Sequence, residues 1–124
     1  MGHGDEIVLA DAHFPGESFN DHVIRADGLK IATLLEGIMP LFVLDPYVDN
    51  PMAMMAAVSG DELDPSVEEG YLKAIRQTWP DTQAAERVER FPFYERARNA
   101  YAVVMTGETA KYGNLILTKG VTPC

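Results

Sequence analysis

Ile7-Val8-Leu9-Ala10 is an unbroken apolar run, too short for a helix and with no polar residue to offer water, so it reads as a buried β-strand. A glycine-rich turn, Gly2-His3-Gly4, precedes it, and Phe14-Pro15 follows. Titratable side chains stand at both of its ends, His3 and Asp5 before it, Asp11 and His13 after it. Ligands of open α/β sheets bind in the crevice beyond the carboxyl ends of the strands. A core strand loaded with charge in this way points to a site built for general acid–base chemistry.

The remainder of the chain alternates strand-like and helix-like segments. The first strand is expected over 6–11, followed by a polar loop over 15–21 and a short strand over 22–26. Ile31, Leu34, Leu35 and Ile38 fall at i, i+3, i+4 and i+7, one face of an amphipathic helix that Gly37 and Pro40 terminate. Apolar runs over 41–44 and 52–58 predict two more strands, closed by Asp45-Pro46 and Ser59-Gly60-Asp61. Asp64-Pro65 supplies a cap and a first-turn proline for a helix carrying Val67, Tyr71, Ile75 and Trp79, which Pro80 stops. A short strand over 86–90, a helix from Pro92 with Phe93, Ala97, Ala100 and Tyr101 inward, and strands over 102–105 and 114–117 complete the chain. This order predicts one α/β domain over 1–124, a largely parallel sheet flanked by helices.

Charge narrows the partners. Ten basic residues against nineteen acidic ones leave a net charge of −9, which repels phosphate backbones and anionic lipid, so neither nucleic acid nor membrane is an expected partner. No signal peptide is visible, and the longest apolar patch, 34–44, holds Glu36 and Pro40 and is too short to span a bilayer. The single cysteine, Cys124, fits a reducing, cytoplasmic compartment. No GxGxxG or GxxxxGK[ST] spacing occurs, so a nucleotide site has no support.

His3 is the best acid–base candidate, because an imidazole titrates near neutrality and both gives and takes protons; it also reads as an ordinary surface histidine. Asp11 either accepts hydrogen bonds from a ligand or caps a turn. Asp45 repeats the pattern of a carboxylate after a buried strand, and if the two strands are neighbours both carboxylates converge on one crevice. Arg90-Phe91-Pro92-Phe93-Tyr94 sets a cation and aromatics at a helix start, and Lys111-Tyr112-Gly113-Asn114 offers a glycine turn that exposes Tyr112 and Asn114. His3, His13 and His22 lie close in sequence among Asp5, Glu6, Asp11 and Asp21, which leaves open a metal-dependent hydrolase or lyase. No paired cysteines or HExxH motif supports that reading, and no metal is expected.

Taken together, Gly2-His3-Gly4-Asp5-Glu6-Ile7, Asp11-Ala12-His13-Phe14-Pro15, Ile24-Arg25-Ala26-Asp27-Gly28, Leu41-Phe42-Val43-Leu44-Asp45-Pro46-Tyr47, Arg90-Phe91-Pro92-Phe93-Tyr94-Glu95-Arg96-Ala97, and Thr106-Gly107-Glu108 with Tyr112-Gly113-Asn114 resemble the RbsD/FucU family of fucose mutarotases and ribose pyranases, more closely its fucose branch. The resemblance runs in family order over essentially the whole chain. It implies a cofactor-free isomerase interconverting the α and β anomers of a free monosaccharide, L-fucose here, with a ribose pyranase-type activity or a non-catalytic sugar-binding role as alternatives. It implies His3 as proton donor, Asp11, Arg90, Tyr112, Gly113 and Asn114 as sugar contacts, and Asp45 and Tyr94 as further contacts. It also implies a homo-oligomer, dimer or decamer, with sites at subunit boundaries. An extended path could hold His3 and Asp11 roughly 20 Å or more apart, so either Gly4 folds His3 back or two protomers share each site. Family members carry a helix ahead of the Gly-His-Gly-Asp motif, where this chain has only Met1; the expectation is that nothing holds His3 in place.

Overall fold

The computed structural model describes residues 1–121, and Cys124 lies outside them. Strands β1 (Glu6–Ala10), β2 (Val23–Ala26), β3 (Met52–Met55), β4 (Glu86–Val88), β5 (Ala102–Thr106) and β6 (Leu115–Thr118) form one sheet in the order β2-β5-β1-β6-β3-β4. β5 is parallel to both β1 and β2, and β4 is parallel to β3. β6 is antiparallel to its neighbours β1 and β3, so five strands point one way and β6 alone runs back between two parallel blocks. The largely parallel sheet is therefore correct.

Helices cover both faces, which is why the strands read as apolar runs with no polar alternation. α2 (Ile31–Ile38) and α3 (Pro65–Arg76) pack with Leu9, Met52, Met54, Leu115 and Leu117 on one face. α1 (Gly16–Phe19) and α4 (Arg90–Asn99) lie on the other, where Phe14 and Phe93 meet Val8, Ala10, Ala53 and Ile116. The period of two along each strand sorts its side chains between these cores. Each fully buried Leu, Ile or Phe contributes about 1.5–3 kcal/mol to that assembly.

Side-chain hydrogen bonds fix the start of α3 and the end of α4. The Asp64 carboxylate accepts the Ser66 N–H at 2.9 Å, capping α3 with Pro65 in its first turn. α4 begins at Arg90, two residues before the expected start at Pro92. A proline in a helix's first turn lacks only an N–H that has no partner there anyway. The segment expected as loop before β2 contains α1, and Asn20 after it donates to the Ala97 and Ala100 carbonyls at 3.0 and 2.9 Å, finishing α4.

The strand expected over 41–44 is absent. Pro40 continues α2 into a tight 3-10 turn over Met39–Leu41 instead. The Trp79 indole N–H donates to the Met39 and Phe42 carbonyls, both at 3.1 Å, and holds this turn in its tight form. Leu41 is 89% exposed, and among the described residues a single bridge, Leu44 to Lys119, joins this segment to the sheet margin. Trp79 itself stands just beyond the end of α3 rather than within it.

Candidate active site

Five parallel strands deliver their carboxyl ends to one edge of the sheet, beside the point where β6 enters. Asp11 leaves β1, Val58 follows β3, Arg90 follows β4, and residues 107–114 connect β5 to β6. Between them opens a cleft of about 290 Å³ whose walls include Asp11, His13, Arg90, Tyr94, Tyr112 and Asn114. That volume lies at the lower end of the range for small-molecule sites.

Asp11 and Asn114 form its buried floor. The Asp11 backbone N–H donates to Asn114 Oδ1 at 2.7 Å, which fixes the amide orientation and leaves Asn114 Nδ2 with no protein partner among the described residues. Asp11 Oδ1 accepts the His13 N–H at 3.0 Å. Burial pushes the Asp11 carboxyl above the ordinary carboxylate range, while the His13 and Phe14 N–H groups pull it back. The floor thus presents an acceptor beside a donor, the pattern that meets two adjacent hydroxyls.

Glu108 builds the loop around this floor. Its carboxylate accepts the Ile31, Thr109 and Ala110 N–H groups at 3.4, 3.1 and 3.2 Å, and its carbonyl accepts the Ala12 N–H at 2.8 Å. Tyr71, reaching across from α3, donates its hydroxyl to the Gly113 carbonyl at 2.7 Å, and burial pushes that phenol's pKa up, keeping it a neutral donor. Gly113 is required for space. A Cβ there would stand 2.9 Å from the Ala110 carbonyl oxygen and 3.0 Å from the Tyr71 hydroxyl. The left-handed residue of this turn is Tyr112 itself, at φ 57°. Tyr112 is half-buried, not exposed as expected, and its hydroxyl is engaged by Val58 and Asp61.

On the outer wall Arg90 has no ion-pair partner among the described residues and lies 4.7 Å over the Phe91 ring. Tyr94 stacks on Phe19, with ring centroids 4.9 Å apart, and meets Phe14 edge-on.

His3 and Asp45 are elsewhere. β1 alone puts about 13 Å between its ends, and His3 lies before its start while Asp11 lies beyond its end. Gly4, at φ 86°, makes a tight turn whose N–H bonds the Lys119 carbonyl at 2.8 Å. That turn does not bring His3 back to the cleft; it seats the imidazole Nε2 3.2 Å from Asp45 Oδ1. Asp45 is 3% exposed, and the Tyr47 N–H, with His3 adding to it, holds its carboxyl below the usual range. His3 is therefore held, contrary to expectation. Nor do Asp45 and Asp11 share a crevice: the Asp45 N–H bonds the Thr118 carbonyl at the far end of β6. A second hollow of about 320 Å³ opens beside Asp45 under Trp79, with walls mostly of proline and apolar carbon near it.

The three histidines, close in sequence, are spread over the fold. His22 bonds the Tyr101 carbonyl at 3.1 Å, and among the described residues no three His, Cys, Asp or Glu side chains gather as a ligand set. Asp61 and Glu108 were not singled out from sequence as site residues. Asp61 carried a usable signal, a carboxylate at the exit of an apolar run, the same pattern that marked Asp11. No described helix is long and apolar enough to cross a membrane.

The raised Asp11 carboxyl has a measurable consequence. Between the unfolded value of about 3.9 and its higher folded value, the folded chain binds more protons, so stability falls as pH rises through that window. Asp11→Asn removes that fall. The variant melts at or above wild type at pH 7, and the difference closes below about pH 4; a less stable variant at neutral pH overturns the assignment.

The family model described as the RbsD / FucU transport protein family matches residues 1–122. An L-fucose mutarotase of Actinobacillus pleuropneumoniae serotype 5b (strain L20) is 66% identical over 123 residues, 99% of this chain and 85% of that protein. One from Glaesserella parasuis serovar 5 (strain SH0165) is 65% identical over 123 residues, 99% of this chain and 84% of the relative. The crystal structure of the fucose mutarotase in complex with L-fucose from Streptococcus pneumoniae superposes with a TM-score of 0.92 at 46% identity, covering 99% of this chain and 87% of that one.

Proposed function

The chain belongs to the RbsD / FucU family, and from that premise we propose that it is an L-fucose mutarotase, a cofactor-free isomerase that opens and recloses the hemiacetal ring. The observation that carries the reading is the floor of the cleft. Asp11 and Asn114 are locked to each other through one backbone hydrogen bond, and each has hydrogen-bonding capacity left over for hydroxyls. Arg90 and Tyr94 supply a cation and an aromatic wall, and the Gly113 carbonyl is already spent on Tyr71, so Gly113 acts by spacing.

Ring opening requires a base to take the proton of the anomeric hydroxyl and an acid to give one to the ring oxygen as the C1–O bond breaks. The aldehyde then rotates about C1–C2, and the transfers reverse on the other face. Positioned proton transfer contributes about 10²–10⁴-fold. His3 is the acid–base residue of this reading. Asp45, ionised and acceptor-only, accepts a hydrogen bond from the His3 Nε2–H, which sets the tautomer and leaves the Nδ1 lone pair free. Because one chain keeps His3 away from its own cleft, the active unit is a homo-oligomer in which the His3 end of one copy covers the cleft of the next. Tyr47, 79% exposed beside His3, and Phe91, 70% exposed beside Arg90, are the apolar surfaces such a contact would bury. The setting is cytoplasmic, in keeping with a single cysteine.

Two-dimensional exchange NMR on equilibrated L-fucose tests the activity directly, with D-ribose and other free sugars as comparison. The expected result is faster α/β exchange for L-fucose than for D-ribose. Binding with no acceleration of either would leave a sugar-binding protein. Asp11→Asn weakens the binding of L-fucose more than it slows exchange at saturation.

A further inference from the structure

We infer that Asp61 is a positioning residue that pins the Tyr112 hydroxyl proton away from the cleft, so that Tyr112 meets a bound sugar only as a hydrogen-bond acceptor. This rests on the mutarotase reading of the cleft. Asp61 lies on the loop after β3, and Tyr112 lines the cleft from the loop before β6. The phenol donates to Asp61 Oδ2 at 2.8 Å, and its oxygen accepts the Val58 N–H at 3.2 Å. A phenol has one proton and two acceptor sites. With the proton and one acceptor site committed, a single lone pair remains for a ligand.

The surroundings keep the arrangement from reversing. Lys111 Nζ lies 2.9 Å from Asp61 Oδ1 and 2.8 Å from Oδ2, and this contact, with the phenol's own bond, holds the carboxyl below its ordinary range. Asp61 thus stays ionised and has only acceptors to offer. Tyr112 also sits in the left-handed region at φ 57°, a conformation that side chains other than glycine seldom adopt. Two hydrogen bonds at the far end of its ring are what that backbone geometry delivers. Donor and acceptor polarity along the cleft is therefore set before any sugar arrives: acceptor at Asp11, donor at Asn114, acceptor at Tyr112.

Fluorinated sugars read this polarity, because fluorine replaces a hydroxyl as a feeble acceptor that cannot donate. Exchange rates are measured for L-fucose and its 2-, 3- and 4-deoxyfluoro analogues with wild type and Asp61→Asn. In wild type, the analogue lacking the hydroxyl that faces Tyr112 loses kcat/KM. In Asp61→Asn the amide donates to the phenol oxygen and the phenol proton turns to the cleft. The ratio of that analogue to L-fucose then rises by about five- to ten-fold, the weight of one neutral hydrogen bond. A simple loop latch lowers all four substrates together, and an unchanged ratio overturns the inference. Should the variant not fold, the Tyr112 hydroxyl proton of wild type decides. It is a downfield resonance absent from Tyr112→Phe, and it keeps its position on saturation with L-fucose; its displacement by the sugar overturns the inference equally. Wild type that fails to accelerate L-fucose exchange at all refutes the mutarotase reading instead, a distinct result.

Discussion

His3→Ala lowers the catalysed α/β exchange of L-fucose by about 10²–10⁴-fold and leaves the fold intact. The imidazole is nearly half exposed, bonds Asp45, lies against the Tyr47 ring, and is not part of either apolar core. Its loss therefore removes proton transfer without opening a cavity. Circular dichroism of the variant should overlay wild type, while the loss of the bond to buried Asp45 lowers stability by only about 0.5–1.5 kcal/mol. A mixing experiment then separates a shared site from a self-contained one. Arg90→Ala, on an exposed side chain, cripples the cleft but keeps His3. When the two inactive variants are dissociated and reassembled together, about a quarter of random head-to-tail contacts join an intact His3 to an intact cleft. Activity should return to about that fraction. Silence on mixing would overturn the site shared between copies, since His3 lies away from the cleft of its own chain, and full activity of His3→Ala would remove the mechanism.

Much of this site was legible because strand ends announce themselves. The apolar run at 7–10 flanked by His3 and Asp11 needed no partner to be recognised, and the i, i+3, i+4, i+7 face of α2 and the Asp64-Pro65 start of α3 are equally local. What stayed hidden depends on distant chain. The run at 41–44 has strand composition, yet Trp79, nearly forty residues on, donates to the Met39 and Phe42 carbonyls and holds its start in a tight turn. The antiparallel entry of β6 between β1 and β3 leaves no mark in its own four residues, and that insertion sends Asp45 and Asp11 to opposite ends of the sheet. Asp61 acquires meaning only from Lys111 and Tyr112, fifty residues later. The sequence expected Asp11, Arg90, Tyr94, Tyr112 and Asn114 together, and the structure lines one cleft with them; that Gly4 turns His3 onto Asp45 depends on distant chain and left no local mark.

Phe93→Ala costs about 3–5 kcal/mol of stability, a large share of the roughly 5–15 kcal/mol that holds a domain of this kind together. The side chain is fully buried beneath the sheet face that carries Val8, Ala10, Ala53 and Ile116. It meets Phe14 edge-on at 6.3 Å, and Phe14 in turn packs on Phe19 and Tyr94. This aromatic group fastens α4 and α1 to the chain leaving β1, the same chain that carries Asp11 and His13 into the cleft. Truncation empties that junction, and the Arg96–Glu6 ion pair still tethers α4, so the surroundings collapse only in part. The melting temperature falls by about 10–20 °C at fixed protein concentration, and the urea midpoint drops with little change in slope. Phe93→Leu keeps most of the volume and loses about 1–1.5 kcal/mol. L-fucose affinity weakens in the alanine variant, since Phe14 no longer fixes the path of the chain beyond Asp11. A loss under about 1 kcal/mol, with affinity unchanged, would mean that the cleft is supported from α2 and the Glu108 loop alone.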